Sequence, residues 1–265
     1  MKSISKYIED KNNKGEKVLS VFLTAGFPDK NNFTQLALKV LEAGADMLEI
    51  GFPFSDPLAD GPIIQHSSQT ALDNGINLNI TFNYLKEIRK KTEKPLILMG
   101  YANPVLSYGI KRFADDAKAC GANGVIIPDV PIEEYKNFFD ESFKDLDTIL
   151  LITPTTPDNR IKMIDEKSSG FIYCVSVSGT TGVRHQDKSP SIEFIKRTRN
   201  AVKKNKTLVG FGISSPQDAK LFAPHCDGVI VGSAVIKSLM DDDTDFSSTL
   251  IVITKIKNAL TEVRK

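Results

Sequence analysis

Residues 46–62 read DMLEIGFPFSDPLADGP, and they contain one copy of the unit from which the whole chain is built. The stretch opens as a short apolar strand, Met47-Leu48-Glu49-Ile50, turns at Gly51, and crosses a Pro- and Asp-rich connection. It then closes on Gly61-Pro62, a favourable helix start. An apolar run without alternation predicts a strand covered on both faces, which is the condition of a parallel sheet sheathed by helices. Glu49 stands where such a strand should carry another Val or Ile. A carboxylate is costly to bury, so Glu49 at a strand end is a candidate acid/base group. Gly51, Pro53, Pro57, Gly61 and Pro62 restrict the connection to few shapes. On this reading Asp46, Asp56 and Asp60 share one stiff acidic loop beside Glu49.

The same rhythm recurs along the chain. Strands are expected at 18–24, 47–50, 96–99, 124–127, 148–152, 171–175, 207–209 and 228–231. Amphipathic helices are expected at 32–43, 62–73, 80–91, 110–120, 132–143, 158–166, 191–203, 216–222 and 247–263, several ending in Gly. The first 14 residues read as a short capping helix over one end of the core. Eight βα units without a linker or composition break predict an α/β fold, a single-domain (β/α)8 TIM barrel over residues 1–265, with that N-terminal cap and extra helices. A doubly wound open sheet is the alternative, but no GxGxxG follows the first strand.

Composition narrows the function classes. With 265 residues, 41% hydrophobic, 25% charged and a formal net charge of +1, the chain lacks the basic excess that draws proteins to nucleic acid or membranes. Basic runs such as Arg89-Lys90-Lys91 and Lys203-Lys204 fall at helix ends, where cations suit the dipole. Cys120, Cys174 and Cys226 are odd in number and far apart, which argues against a disulfide or zinc framework. No signal-peptide core and no bilayer-length apolar run is present, so a cytoplasmic protein is expected.

In a barrel the chemistry lies at the carboxyl ends of the strands. Those ends carry neither lysine nor histidine, which disfavours Schiff-base and metal chemistry and leaves carboxylate acid/base catalysis. His66, His185 and His225 are scattered and read as structural or exposed. After strands seven and eight come Gly210-Phe211-Gly212 and Gly232-Ser233, the second opening a helix. Backbone N–H groups there suit a phosphate. The loop SGTTGVR (178–184) after strand six reads as a lid.

Taken together, FLTAGFPD (22–29), LEIGFPFSDPLADGPIIQHSSQTAL (48–72), LMGYANPV (98–105), GVIIPDVPIEE (124–134), SGTTGVR (178–184), GFGIS (210–214) and GSAVIK (232–237) resemble the tryptophan synthase alpha subunit. The likeness covers nearly the whole chain. It implies cofactor-free retro-aldol cleavage of indole-3-glycerol phosphate to indole and glyceraldehyde 3-phosphate. It further implies Glu49 as proton donor and acceptor, Asp60 as hydrogen-bond partner of the indole N–H, and Tyr173 as an orienting group. Phosphate contacts carried over by motif are Gly182, Gly212, Gly232 and Ser233, with Phe211 beside them.

Phe22, Ile64, Leu98, Ile127 and Ile152 could wall the indole ring or belong to the core; the residues alone leave both open. The implied partner is a pyridoxal-phosphate beta subunit in an alpha2beta2 assembly. It would dock on an exposed rim of Pro53, Phe54, Asp56, Asn103, Pro104, Asp129 and Pro131. Competing readings are another phosphate-binding barrel enzyme, such as an isomerase or indoleglycerol-phosphate synthase, and a non-catalytic barrel that only binds such a ligand.

Overall fold

The structure is a computed structural model that describes residues 3–175, 188–210, 212–241 and 245–261. Eight parallel strands, β1 (Val18–Thr24), β2 (Met47–Gly51), β3 (Leu96–Met99), β4 (Gly124–Ile126), β5 (Asp147–Ile152), β6 (Phe171–Val175), β7 (Lys206–Gly210) and β8 (Gly228–Val231), pair in chain order. β8 pairs back onto β1 with Val18 opposite Gly228, so the sheet closes and the open-sheet alternative falls. Gly228 permits that closure, because a side chain there would overlap Val18 and its backbone.

The helices are α1 (Ile4–Asn13), α2 (Phe33–Glu42), α3 (Pro62–Asp73), α4 (Leu78–Arg89), α5 (Ala102–Tyr108), α6 (Ile110–Ala119), α7 (Tyr135–Phe138), α8 (Asp158–Lys167), α9 (Ser189–Ala201), α10 (Pro216–Phe222), α11 (Ser233–Asp241) and α12 (Ser247–Thr261). α1 caps the amino end of the barrel as expected: Ile4 and Ile8 are fully buried against Val18, Met47, Ile97, Ile126 and Phe171 in the barrel interior. A second, larger apolar layer fills the space between strands and helices.

Two elements depart from expectation. The helix expected at 132–143 is broken into a 3-10 turn (Ile132–Glu134), the single turn of α7 and a second 3-10 turn (Glu141–Phe143). Asp140 takes the Ser142 N–H onto its own carboxylate at 2.8 Å, and Phe138, Phe139 and Phe143 pack on one another rather than along one helical stripe. Conversely, α5 was not expected. Pro104 reads as a breaker, yet it lies in the first turn of the helix, where a missing N–H costs nothing.

Asp46 does not belong to the loop after β2. It precedes the strand and lies at the opposite end of the barrel, roughly 15 Å away at strand rise per residue. There its carboxylate accepts the Leu19 N–H at 2.9 Å and the Lys257 ammonium at 2.5 Å, with Lys11 at 3.2 Å. Among the described residues no helix is long and apolar enough to cross a membrane, and no cluster of side chains could hold a metal ion.

Candidate active site

Of the residues that sequence reading singled out, Glu49, Asp60, Tyr173, Phe22 and Ile64 lie toward the carboxyl end of the barrel. Inward-facing positions along β2 are Met47 and Glu49, and Glu49 is wholly buried. Ser20 on β1 donates a 2.8 Å hydrogen bond to Glu49 Oε1, whereas Oε2 has no partner among the described residues. Burial drives the Glu49 carboxyl up to about 8, against the smaller opposing pull of the Ser20 bond.

Asp60 lies in the connection between β2 and α3. The Pro-rich loop is held by turn bonds from Leu58 N–H to Asp56 O and from Asp60 N–H to Pro57 O, and by Ser68 on α3. Ser68 Oγ accepts the Phe54 N–H at 3.0 Å and donates to the Phe54 carbonyl at 3.1 Å. Burial raises the Asp60 carboxyl to about 6, and a 3.0 Å hydrogen bond from Tyr101 Oη opposes that rise. Tyr173 on β6 is buried, and its phenol is pushed well above the ordinary value by burial first and then by the charges of Glu49 and Asp60, so it lies near both carboxyls. Gly210 at the end of β7 makes room for this ring: a Cβ there would overlap Tyr173 Oη.

A cleft opens beside these groups, and its wall includes Phe22, Ile64, Asp60, Met99, Tyr101 and Pro128. Glu49 is not in that wall. Its ladder partner Phe22 and the following Gly51 are, and Gly51 has no side chain because a Cβ would collide with the Phe22 ring. Phe22 and Ile64 therefore stand where an apolar pocket needs them. Leu98, Ile127 and Ile152 are not among the residues that line it. Adjacent residues on a strand face opposite ways, and it is the inward neighbours Met99 and Pro128 that reach the cleft.

Of the glycines after the last strands, Gly210 is buried and Gly232 half-buried. Gly212 is exposed with φ +76°, and α11 starts at Ser233 directly after Gly232. The first N–H groups of that helix have no intrahelical acceptor. Gly182, Phe211 and the strand-six loop 178–184 lie outside the described residues, as does His185.

Of the expected rim, Asp56, Asn103, Asp129 and Pro131 are exposed and Phe54 is half-buried. Pro53 is buried and cannot offer an exposed surface, since the chain leaving β2 still runs inside the barrel mouth at that point. Sequence reading missed Leu58, 90% exposed in the same loop, and Tyr101, whose hydroxyl meets Asp60. Pro57 just before Leu58, with Asp60 two residues after it, and Gly100 before Tyr101 were the available signals. His66 is exposed, and all three cysteines are buried thiols.

Comparison with known proteins agrees with this geometry. The family profile described as tryptophan synthase alpha chain matches residues 8–263. The tryptophan synthase alpha chain of Phocaeicola vulgatus is 42% identical over 237 residues, 88% of this chain and 91% of that protein. That of Geotalea uraniireducens is 46% identical over 84% of this chain and 83% of its own length. Among solved structures, the alpha chain from Legionella pneumophila superposes with a TM-score of 0.89 at 30% identity, covering 100% of this chain and 99% of that one. A Mycobacterium tuberculosis tryptophan synthase chain gives 0.89 at 30% identity, covering 98% and 99%. With the profile spanning nearly its full length, the chain belongs to the tryptophan synthase alpha chain family.

Proposed function

We propose that this chain is a carbon–carbon lyase that cleaves indole-3-glycerol phosphate to indole and glyceraldehyde 3-phosphate, with Glu49 and Asp60 as its catalytic carboxyl groups. The observation that carries this reading is the placement of a wholly buried Glu49, one oxygen of which has no partner among the described residues, beside a cleft whose wall includes Asp60; burial raises both carboxyls, Glu49 to about 8 and Asp60 to about 6. Near neutral pH one is an acid and the other a carboxylate, which is how paired groups divide the roles of donor and charge stabiliser.

Glu49 donates its proton to indole C3, and the ring becomes a cationic indolenine. The Asp60 carboxylate accepts a hydrogen bond from the ring N–H and stabilises that cation. The Glu49 carboxylate then removes the proton of the hydroxyl on the attached side-chain carbon. The carbon–carbon bond breaks, its electron pair returns to the ring, and the oxygen becomes the aldehyde carbonyl. Glu49 ends protonated, ready for another turnover. Tyr173 orients the substrate beside Glu49. Glu49 is wholly buried, and its ladder partner Phe22 and the following Gly51 line the cleft that the substrate would enter. Phe22 and Ile64 flank the indole, and backbone N–H groups of Gly182, Gly212, Gly232 and Ser233 hold the phosphate.

The indole passes to a beta subunit that carries pyridoxal phosphate, in an assembly of two alpha and two beta chains. Docking uses Phe54, Asp56, Asn103, Asp129 and Pro131, and the exposed Leu58 among them supplies the apolar anchor such surfaces need. A cytoplasmic setting accords with three cysteines kept as thiols.

The test is indole release by the purified chain and by Glu49→Gln, each with and without a beta subunit. Activity lost in the variant and raised by the partner supports both the chemistry and the partnership. No indole from the wild-type chain under any condition would leave a ligand-binding barrel as the better account.

A further inference from the structure

We infer that Tyr101 is the positioning residue for Asp60, its one phenol oxygen tying the loop backbone and the catalytic carboxylate to the rigid end of β3. The inference rests on the role given to Asp60 above.

Asp60 sits on a loop, and a carboxylate that must meet a ring N–H in a fixed direction cannot rely on loop backbone alone. Tyr101 comes from a firmer base. It follows β3 through Gly100 and forms the N-cap of α5. The next N–H, that of Ala102, is held by both oxygens of Asp129 at 2.9 and 3.2 Å. The Tyr101 ring packs at 5.5 Å on Phe54 of the same loop and is nearly buried.

Its Oη accepts the Ala59 N–H at 3.0 Å and lies 3.0 Å from Asp60 Oδ2. Of that pair only the phenol carries a proton when Asp60 is ionised, so Tyr101 is the donor. Among the described residues it is the one donor to that carboxylate. Burial and the neighbouring Asp60 charge hold the phenol far above its ordinary range, so it keeps its proton wherever the enzyme could operate. One hydroxyl thus fixes residues 59 and 60 together and favours the ionised form of Asp60.

Ser68 clamps the other part of the loop, at Phe54, without touching Asp60. The two clamps can therefore be separated. Tyr101→Phe keeps the ring packing and removes only the oxygen, whereas Ser68→Ala loosens the loop and leaves the donor in place. Indole release across pH and a carbon-13 titration of the Asp60 carboxyl are measured in wild type and both variants. For Tyr101→Phe we expect kcat about tenfold lower with KM little changed, and the Asp60 midpoint raised by on the order of half to one pH unit. For Ser68→Ala the midpoint stays at the wild-type value.

A midpoint unmoved by Tyr101→Phe overturns the inference whatever the activity, and so does an unchanged kcat. An equal rise of the midpoint in Ser68→Ala would also overturn it, by showing that loop order alone sets the carboxyl. Absence of indole formation by wild type would instead sink the lyase reading, and the titration would still report on the tether.

Discussion

Ser20 Oγ donates a 2.8 Å hydrogen bond to Glu49 Oε1, while Oε2 of the same buried carboxyl meets no partner among the described residues. The asymmetry leaves one oxygen for chemistry and one for orientation. It also defines a pH window. On the roles proposed for the two carboxyls, the free enzyme is competent when Asp60 is ionised and Glu49 protonated, so kcat/KM should rise through about pH 6 and fall through about pH 8. The Ser20 bond lowers the Glu49 value. Ser20→Ala should therefore move the basic limb upward, by on the order of half a pH unit, and leave the acidic limb in place. A pH–rate profile of the variant beside wild type checks both limbs.

The same carboxyl makes stability depend on pH. Glu49 is held neutral in the fold, at about 8 against 4.5 for an exposed glutamate. The unfolded chain gives up this proton first, so the stability due to the group is fully present below about pH 4.5 and is lost progressively up to about pH 8. Glu49→Gln removes that loss. The variant should match wild type in acid and become the more stable of the two as pH rises, by on the order of 5 kcal/mol at most. Urea unfolding at a series of pH values reads the difference; a gap that does not widen with pH contradicts a buried neutral Glu49.

The barrel was legible in the sequence because most strands are short apolar runs and several helices stop at a small-residue turn, as at Ala43-Gly44 and Cys120-Gly121. Glu49 was legible for the same reason, as the charged exception in such a run. What could not be read was the face of each strand residue. Leu98 and Met99, or Ile127 and Pro128, are all apolar, and a strand buried on both sides carries no polar alternation to say which member points into the barrel. Asp46 misled in a related way. It is close to Asp56 in sequence, but an intervening strand carries the chain from one end of the barrel to the other.

Gly210 and Tyr173 make a size relationship that can be tested as a pair. A methyl group at Gly210 would overlap the phenol, so Gly210→Ala should displace the ring, lower kcat/KM and cost about 1–3 kcal/mol of stability. In a Tyr173→Ala background the same substitution should cost almost nothing, since the clash is gone. Equal costs in both backgrounds, by thermal or denaturant unfolding, would place the strain elsewhere.

Leu58 is 90% exposed between Pro57 and Ala59, which is an unfavourable position for a leucine unless something covers it. Leu58→Asp should weaken association with a beta subunit by about tenfold or more while the chain folds normally. Calorimetric titration of the two chains measures this directly. An unchanged affinity would remove the β2–α3 loop tip from the docking surface.

Asp46 tests the separation of the two barrel ends. Its carboxylate is 3% exposed and compensates Lys257 at 2.5 Å and Lys11 at 3.2 Å while accepting the Leu19 N–H. Removing one partner of a buried ionic cluster strands the others, so Asp46→Ala should cost about 3–5 kcal/mol and lower Tm by several degrees. The loss should not reach the chemistry, because stability in this fold is concentrated at the amino ends of the strands and reactivity at the carboxyl ends. At a temperature where the variant remains folded, its kcat/KM and both limbs of its pH profile should equal those of wild type. If either limb moved, the charge network under β2 would be communicating with Glu49 along only five residues of strand, and the two ends of this barrel could no longer be treated as independent.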